Sequence, residues 1–235
     1  MIGAVALAGV VGCGPAAADP LSCADFGGTV DADQVCHSRT DTAGYTIAVS
    51  YPVDYPDVQA VTAYLTQQRD QLVDYAQKFP PRDRPAPYQL AVSAKEYRSG
   101  SPATGTQSVV LRVGRDVGAH PMTSVKAFNY DLGKQAPITF DTVFKPGAVD
   151  VIYSAVRREL SPGAGTAPRG GRDAATYQNF AITDDAVIFF FDQDQLFGQN
   201  EGPLQATVPR ADLNPFLTER RRPPAIVLLP EYYAR

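Results

Sequence analysis

Apolar residues recur along the chain at two periods, and the switches between them divide it into elements. From Tyr45 to Tyr51 apolar and polar positions alternate until Pro52 and Pro56 end the run, which predicts a strand. Val58, Val61, Leu65, Leu72, Ala76 and Phe79 then recur near helical spacing. They predict an amphipathic helix with Asp57 placed to cap its first amides and Pro80-Pro81 closing the far end. Gln67, Gln68, Arg69 and Asp70 lie opposite the stripe, so its apolar face is read as core packing against a sheet rather than as a partner-binding face. Prolines 80, 81, 85 and 87 form a stiff connector. Tyr88 to Tyr97 alternates again, with Leu90, Val92 and Ala94 on one face and Gln89, Ala91, Ser93 and Lys95 on the other.

Gln107 to Val113 and Thr123 to Asp131 are rich in β-branched and aromatic residues and bounded by glycine and proline. They predict neighbouring strands, joined through 114–122 and followed by a short third strand at Ile138 to Phe140, a meander. Val149, Ile152, Val156 and Leu160 give a second helical stripe over about 148–160. Ser161 to Arg172, with four glycines and two prolines, reads as a flexible linker; it lacks the glycine-lysine pattern of a phosphate loop. Asp173 is placed to cap a short helix. Phe180 to Ile182 and Val187 to Phe191 predict a hairpin, and three consecutive phenylalanines point to both faces of their strand, so that strand is expected to be central and covered on each side. A last strand to Val208 and a short helix from Arg210 to Leu217 complete the pattern. Two helices against one mixed, mainly antiparallel sheet make an α+β domain.

Composition narrows the classes. With 44% apolar and 10% aromatic residues the 235-residue chain can bury a real core, and a net charge of −4 argues against nucleic acid as a partner. Met1 to Gly12 is an uncharged run spanning about 18 Å as a helix, short of the ~30 Å bilayer core, so residues 1–18 are expected to be an export signal. Two exits compete: a lipobox at Val10 to Cys13, which would lipidate Cys13, and small-residue cleavage after Ala18. Cys23 and Cys36 enclose a loop whose closure would stabilise the fold by about 3 kcal/mol, in keeping with an exported protein. A metal site there would lack a fourth ligand beside His37, and no metal or cofactor is expected.

The chemistry-bearing residues are few. Any Ser-His-Asp hydrolase must use His37 or His120, and no G-x-S-x-G elbow occurs. His37, following a disulfide cysteine in a tethered loop, is read as an unpromising base. His120 lies in a glycine-bounded connection, where it shapes the turn with Pro121 or, on the esterase reading, acts as base with Ser124 or Ser108 as the serines to test. Asp192, Asp194 and Glu201 are read as solvated turn carboxylates; the calcium-loop glycine position is occupied by Phe197.

Several runs together carry a resemblance: Gly118 to Pro121, Lys126 to Asp131, Pro137 to Thr142, Tyr177 to Ala181, Val187 to Phe191 and Val208 to Arg210. Over residues 20–217 the chain resembles the mycobacterial secreted immunogenic proteins of the MPT sixty-four type, within the RsiV-like family of extracellular domains of unknown function. The resemblance implies a β-grasp-like α+β fold over 19–217, a Cys23–Cys36 disulfide and a protein as ligand class, since RsiV-type relatives bind lysozyme. The leading expectation is therefore a secreted or lipid-anchored envelope binding protein, monomeric and non-enzymatic. The alternative is a cell-wall carboxylester hydrolase using His120. Residues 218–235, with Glu219 to Arg222 read as a solvated hinge and Ile226 to Leu229 as an added edge strand, form an extension outside the likeness.

Overall fold

In the computed structural model the described residues are 22–81, 86–118, 120–160, 168–198 and 202–218. Strands β1 (Thr29–Val30), β2 (Val35–Asp41), β3 (Tyr45–Pro52), β4 (Tyr88–Ser99), β5 (Thr106–Asp116), β6 (Met122–Asp131) and β7 (Ala136–Ile138) form one sheet in chain order. Every neighbouring pair is antiparallel except β3 and β4. Those two are parallel because helix α1 (Val58–Lys78) carries the chain back between them, the crossover a parallel pair requires. The expected mixed, mainly antiparallel sheet is thus present.

Alternation decides what covers each face. Val61, Leu65 and Leu72 of α1 pack on Ile47, Val49, Leu90, Val92, Val109, Leu111 and Val113, all nearly inaccessible. Asp57 sits at the N-cap of α1 but makes no side-chain cap bond. The opposite face meets a second sheet of β8 (Phe180–Ile182), β9 (Ala186–Phe191) and β10 (Leu204–Pro209), with β9 in the middle. Phe190 points at Val110 and Val125 of the large sheet, while Phe189 and Phe191 enter a third layer with Ile152 and Val156 of α3 (Ala148–Leu160). The triple-phenylalanine strand is central and covered on both sides, as expected, but in a sheet of its own. Short helices α2 (Phe140–Val143) and α4 (Arg210–Leu213) close that layer. Phe140 therefore belongs to a helix, and the third meander strand is Ala136–Ile138.

Side chains seal the seam between the sheets. Beyond its pairing with β7, the outer edge of β6 donates Thr123 N–H to Gln193 Oε1 (3.0 Å), Val125 N–H to Asp192 Oδ1 (2.6 Å) and Ala127 N–H to Asn179 Oδ1 (3.1 Å). An open edge that would template aggregation is thus occupied by the loops of the second sheet. Asp192 is accordingly not a solvated carboxylate: burial pushes its carboxyl up, opposed by the Val125 amide. Asp173 caps its short helix by accepting from Ala175 N–H at 2.9 Å.

The second sheet covers the large one over β5, β6 and the far end of β4, where the Tyr97 and Phe190 rings meet at 5.9 Å. On β3 and the first half of β4 the same face is left open, and its positions are small: Ala48 and Ser50 are half-buried, Ala91 and Ser93 exposed. Cys23 and Cys36 are disulfide-bonded, as expected, with Cα atoms 5.7 Å apart. The signal segment with Cys13, residues 161–167, Glu201 and the 219–235 extension lie outside the described residues. Among the described residues no helix is long and apolar enough to cross a membrane, and no group of three or more His, Cys, Asp and Glu is placed to hold a metal.

Candidate functional site

His37, an unpromising base on the sequence alone, stands at the centre of a hydrogen-bonded polar cluster. Val35 to Asp41 is a strand rather than a tethered loop, paired residue by residue with β3, so that His37 lies opposite Ser50. Opposed residues share a face, and here it is the open one. His37 Nδ1 lies 3.2 Å from Ser50 Oγ, and His37 Nε2 lies 2.8 Å from Asp31 Oδ2.

Asp31 is held by the turn that joins β1 to β2. Its Oδ1 accepts the amides of Asp33 and Val35, both at 2.9 Å, leaving Oδ2 free to face the imidazole. The turn needs Gln34 at φ 60° and is closed by the Asp31 amide donating to the Val35 carbonyl at 2.9 Å. Beneath it the disulfide anchors Cys36, the residue before His37. A Cβ on Gly28 would stand 2.7 Å from the His37 carbonyl oxygen and 2.9 Å from Cys23 Sγ, so glycine is what lets β1 lie against this corner.

The electrostatics follow from the bonds. The Val35 amide first, then the His37 ring, holds the Asp31 carboxyl below the usual carboxylate range. An ionised Asp31 accepting from Nε2–H fixes the tautomer that leaves the Nδ1 lone pair facing Ser50 O–H. Serine, imidazole and carboxylate therefore stand in the order of an acyl-transfer relay, with the ring nitrogens exchanged relative to the usual arrangement. His37 and Asp31 side chains are 54% and 41% exposed, so solvent reaches the relay and screens its charges. A depression of about 240 Å³ opens beside it, floored by Ala48, Val49 and Val92. Arg39, opposite Ala48, stands at its rim with its charge paired: its Nε and Nη2 donate to Asp41 at 2.7 and 2.9 Å.

The residues singled out from sequence are not gathered together. His120 is exposed in the connection from β5 to β6 and makes no side-chain hydrogen bond or ion pair among the described residues. Ser124 points to the α1 side of the sheet, toward Tyr64, whose hydroxyl is pushed up by burial. Ser108 is inaccessible: its Oγ donates to Asn129 Oδ1 at 2.6 Å and accepts Ile182 N–H at 3.3 Å. It lies eight residues from the β5 end that leads to His120, about 26 Å of extended strand.

Comparison with known proteins agrees with this fold. The profile of a protein family of unknown function, DUF3298, matches residues 141–211. The esterase Rv3036c of Mycobacterium tuberculosis is 49% identical over 208 residues, covering 86% of this chain and 91% of its own. The immunogenic proteins MPT64 of M. tuberculosis and MPB64 of M. bovis are each 38% identical, covering 86% of this chain and 90% of theirs. A DUF3298 protein from Pseudomonas aeruginosa, 17% identical, superposes with a TM-score of 0.56 over 82% of this chain and 98% of its own.

Proposed function

The chain belongs to the family of the mycobacterial immunogenic protein MPT64 and the esterase Rv3036c, and from that premise we propose that it is a carboxylester hydrolase, with Ser50 as nucleophile, His37 as base and Asp31 orienting the ring. The observation that carries the reading is the Ser50–His37–Asp31 relay, with contacts of 3.2 and 2.8 Å, beside an open depression.

The chemistry proceeds by two acyl transfers. Ser50 Oγ attacks the ester carbonyl carbon as its proton passes to His37 Nδ1, and Asp31 stabilises the imidazolium. The attack leaves a tetrahedral oxyanion on the water-exposed side of the depression. Its collapse breaks the bond to the alcohol, which leaves with the proton from His37 and a Ser50 acyl ester behind. Water then attacks that ester, gives its proton to His37, and Ser50 Oγ leaves and is reprotonated as the acid departs. A shallow, water-exposed relay suits short acyl chains and activated esters, since a screened site stabilises charge less than a dry one.

One observation favours a second reading, a non-enzymatic binding protein of the envelope: the exposure of His37 and Asp31 would equally suit a polar surface pair. Turnover of p-nitrophenyl acetate separates the two. Ser50→Ala and His37→Ala are each expected to lower kcat/KM by at least about 100-fold with the fold intact by circular dichroism, whereas His120→Ala leaves it unchanged. Activity that survives Ser50→Ala removes the hydrolase assignment. The reading includes export, which the Cys23–Cys36 disulfide supports. Intact mass distinguishes lipidation at Cys13 from cleavage after Ala18.

A further inference from the structure

The strand registers place Ser50 in a row that crosses the open face. His37 is opposite Ser50, Val49 is opposite Val92 so that Ser50 neighbours Ser93, and Ser93 is opposite Arg112, itself opposite Val125. Ser50 and Arg112 are therefore two strand spacings apart, about 10 Å. The adjoining row is Ala48, Ala91 and Gly114, which leaves the floor low. Two further depressions, of about 260 and 180 Å³, extend the one beside Ser50 along this floor and meet at Arg112. The last is a wedge between the sheets walled by Val110, Phe190 and Leu204.

The charge beside the wedge is one-sided. Arg39 is paired with Asp41 and His37 with Asp31, whereas Lys95 and Arg112 line the two further depressions with no carboxylate among the lining residues, in a protein whose net charge is −4. Arg112 is exposed and has no hydrogen-bond or ion-pair partner among the described residues. Lys95 lies over the Tyr97 ring at 5.0 Å. Two cations beside an apolar wedge are complementary to an anionic group on an aliphatic chain.

Resting on the hydrolase reading, we propose that the substrate is an ester whose acyl chain ends in a carboxylate, bound along this row with the acid on Arg112 and Lys95. The direction follows from the proton inventory: His37 must protonate the leaving alcohol and lies on one side of Ser50, so the acyl chain runs to the other, over Ser93 to Arg112.

The test compares p-nitrophenyl half-esters of dicarboxylic acids of increasing length with neutral esters of matched length. The expected result is a higher kcat/KM for the half-ester long enough to span the row, reduced by salt. In Arg112→Gln the ratio of charged to neutral ester is expected to fall roughly tenfold, the scale of one charge-assisted bond. Neutral turnover with no charge preference in the wild type, or a preference untouched in Arg112→Gln and Lys95→Gln/Arg112→Gln, overturns this substrate class while leaving the hydrolase reading standing. If no ester is hydrolysed, that reading falls, and calorimetric titration with monomethyl azelate decides the strip alone: binding lost in Arg112→Gln supports it, and no binding to the wild type overturns it.

Discussion

Single side chains here carry either the relay or the seam between layers, and the sequence does not mark which. Ser108 and Ser50 are both strand serines, yet Ser108 bridges the sheets with its hydroxyl fully enclosed, while Ser50 faces solvent. Asn129 completes the bridge by donating to the Phe180 carbonyl at 2.8 Å. Ser108→Ala strands the Ile182 amide and Asn129 Oδ1 in a buried site, which costs roughly 1–3 kcal/mol. Urea unfolding is expected to show that loss at unchanged slope, with ester turnover per folded molecule retained. A midpoint equal to the wild type would mean that water or rearrangement satisfies both groups. The relay escaped a linear reading for a related reason. Asp31, His37 and Ser50 are joined through a hairpin register, and their spacing matches no motif. The usable signal was the alternation of Cys36, Ser38 and Thr40 against His37, Arg39 and Asp41, which becomes visible once the segment is taken as a strand.

Among elements, legibility followed how much apolar patterning each one carries. Helix α1 was fully written in its stripe because burying Val61, Leu65 and Leu72 is what holds it to the sheet. The triple-phenylalanine strand announced two covered faces, although nothing local could say that the second face belongs to another sheet. Strand β2 was missed because Val35 and Cys36 are its only apolar residues; pairing with β3 and the disulfide make it a strand. That division gives the disulfide a measurable role. The bridge closes a loop with a sequence separation of 13, so its removal costs about 3 kcal/mol. Cys23→Ser/Cys36→Ser is expected to lower Tm by roughly 6–12 °C for a chain of this size. Amide exchange should accelerate first in β1 and β2, and uniform acceleration across the large sheet would instead assign the bridge a global role.

At the scale of the whole molecule, the open face exists because the second sheet docks off-centre, and its docking is held at one end by a polar clasp. Asp184, in the turn between β8 and β9, accepts the Gly100 amide at 2.7 Å just beyond β4. Arg210 Nη1 reaches Ser99 Oγ at 3.0 Å and the Thr183 carbonyl at 3.3 Å from the same side. The Gly100 amide, with the Ser99 hydroxyl second, holds the Asp184 carboxyl below the usual carboxylate range. A carboxyl lowered in the folded state binds its proton more readily when unfolded. Its stabilisation is therefore complete above the ordinary value near pH 4 and is lost as pH falls through the lower folded value. Asp184→Asn keeps an oxygen for the Gly100 amide but removes the charge. The variant is expected to melt below the wild type by a constant interval from pH 7 to about pH 5, and that interval should close below about pH 4 as the wild-type carboxylate is neutralised. Thermal melts across this range test it: an interval that persists undiminished at pH 3 would show that the clasp acts through shape rather than charge.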